Sequence, residues 1–183
     1  MADWITNLDW KLLGWAHDIF SSGFWAYVMP KVSFIGNYAM AWIFAACLLL
    51  CTKRYRWNGV MVLAALAVGF LIGNLLLKPL IARARPIWPY APLAPLIPGP
   101  GDYSFPSGHA LSSFAAATVL SLTDRRLGWL AIPLACLIAL SRVALYVHFP
   151  SDVLAGAVLG VLDGGCVYWL GRRLVSSGRV GEE

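Results

Sequence analysis

Five apolar segments, each close to the length of a membrane-spanning helix, constrain this sequence most. They cover residues 32–51, 59–77, 104–122, 127–140 (continuing toward 147) and 153–170. The hydrocarbon core of a bilayer takes about 20 helical residues. The chain is 60% hydrophobic and 13% charged, whereas about a quarter of a soluble domain is charged. The sequence therefore predicts an all-α fold, a polytopic transmembrane helical bundle of about five spans.

The first 31 residues have a different pattern. Apolar residues such as Trp4, Leu8 and Leu12 recur at helical spacing, but Asp9 and Asp18 interrupt them. This mixture is typical of an amphipathic helix that lies in the membrane interface. A sixth span is the alternative interpretation of this segment.

Positive charge is concentrated in the loops that follow the first, third and fifth segments. These loops and the C-terminal region hold Lys53, Arg54, Arg56, Arg125, Arg126, Arg172, Arg173 and Arg179. Cytoplasmic loops carry an excess of Lys and Arg, so we expect this side to face the cytoplasm. The predicted location is the inner (plasma) membrane, and the remaining loops face the periplasm or exterior.

Three polar groups lie at the segment ends on the predicted outer side. They are Lys78 with Arg85-Pro86, then Pro106-Ser107-Gly108-His109, then Ser141-Arg142 with His148 and Asp152. Charged residues this close to a bilayer core are costly, and they indicate a functional site by default. Three cations, two imidazoles, a hydroxyl and a carboxylate suit the binding and transfer of a phosphate.

The positions of these residues predict how a phosphate would bind. Lys78 and Arg85 converge on one anion if their helix continues for two turns, and the Arg142 guanidinium can bind two oxygens. Ser107 and the Gly108 N–H lie at the start of the third segment, and helix N-termini bind anions. The protein cations neutralise the phosphate and the sequence has no carboxylate cluster, so we predict no metal and no cofactor.

Together the three groups resemble the motifs of the type 2 phosphatidic acid phosphatase superfamily of membrane lipid phosphatases. Those motifs are Lys, six residues, Arg-Pro; Pro-Ser-Gly-His; and Ser-Arg, five residues, His, three residues, Asp. All three occur here in order, and the resemblance covers roughly residues 34 to 170. It implies a membrane catalytic domain at 32–175, between an amphipathic segment at 1–31 and a cytoplasmic tail at 176–183.

The resemblance also implies a role for each residue. His148 attacks phosphorus to form a phosphohistidine, and Asp152 accepts a hydrogen bond from the other ring nitrogen. His109 protonates the leaving oxygen and then activates water. The expected phosphate-binding residues are Lys78, Arg85, Ser107, Gly108 and Arg142.

The implied activity is removal of a phosphate from a membrane lipid, with undecaprenyl diphosphate as the expected substrate. Phosphatidylglycerophosphate, phosphatidic acid and lipid A phosphate are alternatives, as is transfer to another lipid. Vanadium haloperoxidases share such a pocket but are larger and soluble, and a lipid-binding or transport protein has little need for two imidazoles. The expected partners are the lipid substrate and the bilayer, without nucleic acid; no oligomeric state is predicted.

Several further residues have two interpretations each. Arg83 contacts lipid phosphate or extends to the interface, and Asp102 with Tyr103 forms a loop turn or a gate. Asp163 and Asn74 suggest a buried polar contact inside the bundle. The Pro-rich loop at 86–106 is either a lid or a stiff connector. The four cysteines fall in apolar runs and are interpreted as buried small hydrophobic residues.

Overall fold

The computed structural model describes residues 3–87, 97 and 99–180, and every regular element within these residues is helical. The helices are α1 (Asp3–Phe20), α2 (Gly23–Ile35), α3 (Met40–Leu50), α4 (Arg56–Phe70), α5 (Lys78–Ile81), α6 (Gly108–Thr123), α7 (Arg125–Ala144) and α8 (Pro150–Val180). The predicted all-α transmembrane fold is confirmed.

Among the described residues, three helical stretches are long and apolar enough to cross a membrane alone. They are Arg56–Ile81, Arg125–Ala144 and Pro150–Ser177. The first joins α4 to α5 through a π-helical turn at Leu71–Leu77. A fourth candidate span is the pair α2 and α3, which is bent by 50°.

The bend between α2 and α3 was not predicted. Gly36 and a 3₁₀ turn at Asn37–Ala39 separate the two helices, and Tyr38 and Ala39 have positive φ values of 50° and 56°. The predicted first span at 32–51 is therefore neither continuous nor correctly bounded, because the apolar helix already begins at Gly23. The predicted limit of the amphipathic segment, residue 31, lies within α2.

Helix α6 occupies the middle of the bundle and packs against α4, α7 and α8. It begins at Gly108 and not at residue 104, where the predicted third segment begins, so Pro106 lies before the helix. Its 16 residues span about 24 Å, which is less than the roughly 30 Å of a bilayer core. The backbone at the start of α6 lies directly against Gly156 and Gly160 of α8, so the two helices pack closely there.

Helix α1 lies against the ends of α7 and α8 that carry the polar groups. It buries Leu13 and Ala16 against Val143, Tyr146 and Phe149. Its apolar residues Trp4, Trp15 and Ile19 remain exposed, as expected for a helix in the membrane interface. At the other terminus, α8 continues to Val180, into the segment predicted as a tail.

The cysteine prediction was wrong. Cys47, Cys51, Cys136 and Cys166 are free thiols on the exposed surface of the bundle. A lipid-facing surface is as apolar as a protein core, so composition alone could not distinguish the two positions.

Candidate active site

The first polar group is placed by a change in backbone direction. Lys78 begins α5, which ends at Ile81, and Ala82 adopts a left-handed conformation with a φ of 48°. From Ala82 to Arg85 the chain has no regular secondary structure. The expected two-turn helical relation between Lys78 and Arg85 was therefore wrong, although both side chains still point to one place.

Lys78 and Arg85 converge on the carboxylate of Asp102. The Lys78 ammonium pairs with Asp102 Oδ2, and Arg85 Nη2 donates to Oδ1 at 2.6 Å. Arg85 Nε also donates to the backbone oxygen of Asp102, at 2.7 Å. Burial would raise the pKa of Asp102, but Lys78 and Arg85 outweigh it and lower that pKa to about 2. Asp102 is thus the anion held by the two cations, which is more than the loop turn expected for it.

Arg142 supplies the third cation of this cluster. It lies in the last turn of α7, is 3% exposed, and donates from Nη1 to Ser33 Oγ of α2. Its Nε is buried and has no hydrogen-bond partner among the residues that the structure describes. Arg142 therefore keeps a donor that an oxyanion in the cavity could use.

His148 lies in the buried turn between α7 and α8 and is 1% exposed. Its Nε2 is 3.0 Å from Arg85 Nη1, and its Nδ1 is 3.4 Å from Ser104 Oγ. Burial lowers the pKa of His148 to about 3, with a smaller contribution from the nearby arginines. The imidazole is therefore neutral near pH 7, which is the form that can act as a nucleophile.

Asp152 does not form the direct hydrogen bond to His148 that the sequence predicts. The His148 Nδ1 to Asp152 Oδ2 distance is 3.8 Å. Oδ2 instead accepts from Ser104 Oγ at 2.5 Å and from the Phe149 backbone N–H at 3.0 Å. The Ser104 hydroxyl therefore lies between the imidazole and the carboxylate.

Arg83 belongs to a buried ion-pair network, so both interpretations offered for it were wrong. Its Nη1 donates to Asp152 Oδ1 at 2.5 Å, and its Nη2 donates to Asp9 Oδ2 at 2.6 Å. Asp9 also accepts from the backbone N–H and the hydroxyl of Ser151, at 2.9 and 2.6 Å. The amphipathic helix α1 is thereby fixed to the start of α8, next to Asp152.

His109 projects from the first turn of α6. Its Nε2 lies 3.0 Å from Asn37 Oδ1, in the 3₁₀ turn between α2 and α3. There is no room for a side chain at Gly36, because a Cβ there would lie 2.9 Å from the His109 ring. The unpredicted bend between α2 and α3 therefore positions this imidazole.

The residues of the Pro-Ser-Gly-His group have two different roles: Ser107 caps α6, whereas Gly108 and His109 line the cavity. Ser107 is fully buried and caps α6, accepting from Ala110 N, while its own N–H donates to the backbone oxygen of Asp152 at 3.1 Å. Gly108 and His109 line the cavity, but Ser107 and Asp152 do not. In this structure Ser107 thus acts through the backbone of α6 and α8, not through a hydroxyl in the cavity.

One cavity of about 1370 Å³ joins these groups. Lys78, Arg85, Arg142 and both imidazoles line its polar end. Its other walls are mostly apolar and come from α2, α3 and α4: Phe34, Ile43, Leu63, Leu66 and Phe70. The arrangement suits an anionic group attached to an apolar chain. Within the described part of the chain, no three His, Cys, Asp or Glu side chains are grouped as metal ligands, and the metal-independent reaction stays a prediction.

Two features interpreted from the sequence remain: the polar pair Asp163 and Asn74, and the Pro-rich loop. Both carboxylate oxygens of Asp163 are buried and have no hydrogen-bond partner within the described part of the chain, so the polar contact expected for it is not formed there. Asn74 instead lines the cavity beside Gly108. For the Pro-rich loop, residues 88–96 and 98 lie outside the described residues, so the choice between lid and connector stays open.

Sequence reasoning missed Ser104, Asp9 and Asn37 as members of the site. A signal for Asp9 was present, since it shares a helical face with Leu13 and Ala16. Ser104 stands three residues before Ser107, next to the Pro-Ser-Gly-His group. Asn37 had no such signal, because its position depends on the bend after α2.

Comparisons with known proteins agree with this geometry. The PAP2 superfamily profile matches residues 58–175. A lipid A 4'-phosphatase of Bacteroides thetaiotaomicron is 31% identical over 96% of this chain and 82% of its own length. An undecaprenyl-diphosphatase of Sulfolobus acidocaldarius is 40% identical over 65% of this chain and 58% of its own.

A solved structure shows the same fold. The transmembrane PAP2-type phosphatidylglycerolphosphate phosphatase of Bacillus subtilis superposes with a TM-score of 0.74 at 24% identity, covering 96% of this chain and 88% of that one. The profile match alone covers more than half of the chain. The chain therefore belongs to the PAP2 superfamily and is a membrane phosphatase of this type.

Proposed function

We propose that this protein removes the terminal phosphate of a lipid diphosphate at the outer face of the membrane, with undecaprenyl diphosphate as the substrate. The observation that supports this proposal is the shared cavity. Three cations and two imidazoles line one part of it, and apolar side chains from three helices line the rest. Similarity to an undecaprenyl-diphosphatase supports this substrate. The outward orientation rests on the positive-inside distribution of Lys and Arg.

In the proposed first step, His148 Nε2 attacks phosphorus as the bond to the leaving oxygen breaks. Lys78, Arg85 and Arg142 neutralise the phosphoryl oxygens, as phosphoryl transfer requires. Arg85 Nη1 must first turn from Nε2 toward a phosphate oxygen, since it lies 3.0 Å from that nitrogen. His109 donates a proton to the leaving oxygen, then accepts one from the water that hydrolyses the phosphohistidine.

The phosphohistidine can be trapped directly. Purified protein mixed with ³²P-labelled lipid diphosphate and quenched in alkali should retain label, and the label should be released by acid. His148→Ala should give no labelled protein, while Arg125→Ala on the opposite side should label as the parent does. Labelling of the His148→Ala variant, or none of the parent in any lipid, would contradict the mechanism.

A second substrate class has specific support. The lipid A 4'-phosphatase match covers nearly the whole chain, including the N-terminal helices. Phosphate release from undecaprenyl diphosphate, lipid A phosphate, phosphatidylglycerophosphate and phosphatidic acid should be compared at one detergent mole fraction. We expect the highest kcat/KM for undecaprenyl diphosphate, and a higher value for lipid A phosphate would favour the second class.

A further inference from the structure

We propose that the Ser104 hydroxyl is a positioning residue of the reaction, linking His148 Nδ1 to the Asp152 carboxylate. The link replaces a direct pairing of the histidine with the aspartate. This inference rests on the proposed function, because it assigns the histidine as the nucleophile. Ser104 precedes the Pro-Ser-Gly-His group and is outside all three sequence motifs.

The geometry places Ser104 between the two groups. Its Oγ is 2.5 Å from Asp152 Oδ2 and 3.4 Å from His148 Nδ1, whereas the direct nitrogen-to-carboxylate distance is 3.8 Å. Ser104 and Asp152 are fully buried and His148 is 1% exposed. The 3.4 Å contact is long, but catalytic hydrogen bonds are often long before substrate binds and shorten in the reacting complex.

The donors and acceptors of this chain admit one consistent assignment. A guanidinium only donates, so His148 Nε2 must accept from Arg85 Nη1. A neutral imidazole carries one proton, which therefore lies on Nδ1. Nδ1–H donates to Ser104 Oγ, and the Ser104 hydroxyl donates to Asp152 Oδ2. This tautomer leaves the Nε2 lone pair for attack on phosphorus.

Asp152 is not free to replace Ser104 as the acceptor. Its Oδ1 is bound by Arg83, which is itself held by Asp9 and lies with its guanidinium carbon 4.1 Å from the centre of the Phe149 ring. Its Oδ2 accepts from the Phe149 N–H as well as from Ser104. A direct bond to His148 would require the carboxylate to leave these partners, so the serine bridges the gap.

The protons on His148 Nδ1 and on the Ser104 hydroxyl stay in place during the proposed reaction. The Nε2–P bond forms, the bond from phosphorus to the leaving oxygen breaks, and the leaving oxygen takes its proton from His109. His148 retains the Nδ1 proton and becomes positively charged. That charge strengthens the hydrogen bond to Ser104 Oγ, which in turn donates to the anionic Asp152.

Ser104→Ala removes the acceptor for Nδ1–H. We expect kcat to fall by about 10- to 100-fold, the range for losing a hydrogen bond to a charged group, while KM changes less than about twofold. Ser104→Thr keeps the hydroxyl and should recover part of the loss. Ser113→Ala is the matched control, because Ser113 is also fully buried but its hydroxyl accepts from Trp42 Nε1.

The tautomer of the His148 imidazole distinguishes a positioning role of Ser104 from a purely structural one, because a purely structural role would leave the tautomer unchanged. The chain has three histidines, so ¹⁵N spectra of the detergent-solubilised protein can be assigned with single variants. In the parent and in Ser113→Ala, His148 should be protonated at Nδ1. With inorganic phosphate bound, so that Arg85 turns from Nε2 to the anion, the Nε2-protonated form should increase in Ser104→Ala, and the rate of phosphohistidine formation should fall with it.

Parental kcat and an unchanged tautomer in Ser104→Ala would overturn the proposal, as would an equal loss in Ser113→Ala. A parent protein that forms no phosphohistidine would contradict the proposed function instead. In that case the tautomer shift would still report on the contact between Ser104 and His148.

Discussion

At the scale of single residues, Arg142 combines full burial with an unused hydrogen-bond donor. One guanidinium nitrogen binds Ser33, while Nε has no partner among the described residues. A buried donor left unpaired costs about 1–3 kcal/mol. We expect a phosphate oxygen in the adjoining cavity to accept from this donor.

Arg142→Lys tests this role. Lysine keeps the charge but offers a single compact ammonium in place of the planar fork, so the second contact is lost. We expect kcat/KM for the lipid diphosphate to fall by about 10- to 100-fold, as for one charged hydrogen bond. Arg125→Lys, an exposed arginine at the far end of α7, should retain parental kcat/KM. Equal values for both variants would contradict the assignment.

Residue types and spacing predicted which side chains meet, but not how they are paired. Lys78, Arg85, Arg142 and both imidazoles share the cavity as expected. Asp102 bonds to Arg85 from 17 positions away and Ser104 contacts His148 from 44 positions away. Asp9 bonds to Arg83 from 74 positions away. Such pairings depend on backbone turns that hydropathy does not encode, and this is why Arg83 was interpreted as a lipid contact.

At the scale of elements, the loop before α6 places a carboxylate between two cations that are proposed to bind phosphate. Asp102 binds Lys78 and Arg85 together, and half of its side chain is exposed to the cavity side. An incoming phosphate must therefore displace Asp102 or share the cations with it. The loop thus sets the affinity of the site for anions.

Asp102→Asn should strengthen the binding of inorganic phosphate. Removing one charge from a partly exposed site is worth about 1 kcal/mol, so we expect about a fivefold lower inhibition constant. The Asp102 pKa of about 2 keeps the carboxylate ionised at higher pH, so the gain should persist from about pH 5 to pH 8. Asp18→Asn, on the exposed face of α1, is the control. Unchanged or weaker phosphate binding would show that Asp102 supports the cations instead of competing.

Helix α1 contributes to the site through Asp9, which is 2% exposed. Removing one partner of a buried ion pair costs about 3–5 kcal/mol, so Asp9→Asn should lower Tm clearly. Because Arg83 then holds Asp152 less firmly, kcat should fall while KM is retained. Asp18→Asn lies on the same helix but is exposed, and it should change neither quantity in thermal unfolding and phosphate-release assays. A parental kcat in Asp9→Asn would show that α1 is only an anchor.

Hydropathy located the long helices but not their interruptions. The predicted second, fourth and fifth segments lie within Arg56–Ile81, Arg125–Ala144 (with the following turn) and Pro150–Ser177. The bend at Gly36, the π turn at Leu71–Leu77 and the left-handed Ala82 are all close to the cavity. Strained or irregular backbone is found at functional sites, where local propensity is overruled by tertiary contacts.

At the scale of the whole molecule, one end of the bundle carries all the candidate chemistry. The end of α5, the start of α6, the end of α7 and the start of α8 meet there, and α1 lies across them. Arg125 and Arg126 begin α7 at the opposite end. The positive-inside rule then predicts that the cavity faces the periplasm or exterior.

Cysteine labelling tests that orientation. The four native cysteines are exposed and free, so a background with all four replaced by alanine should retain the fold. In it, Gly101→Cys marks the loop beside the cavity, and Arg125→Cys marks the opposite loop; both positions are exposed. A membrane-impermeant maleimide on intact bacteria should label Gly101→Cys at once and Arg125→Cys only after lysis. The reverse pattern would place the cavity in the cytoplasm, where a lipid diphosphate presented on the outer leaflet could not reach His148.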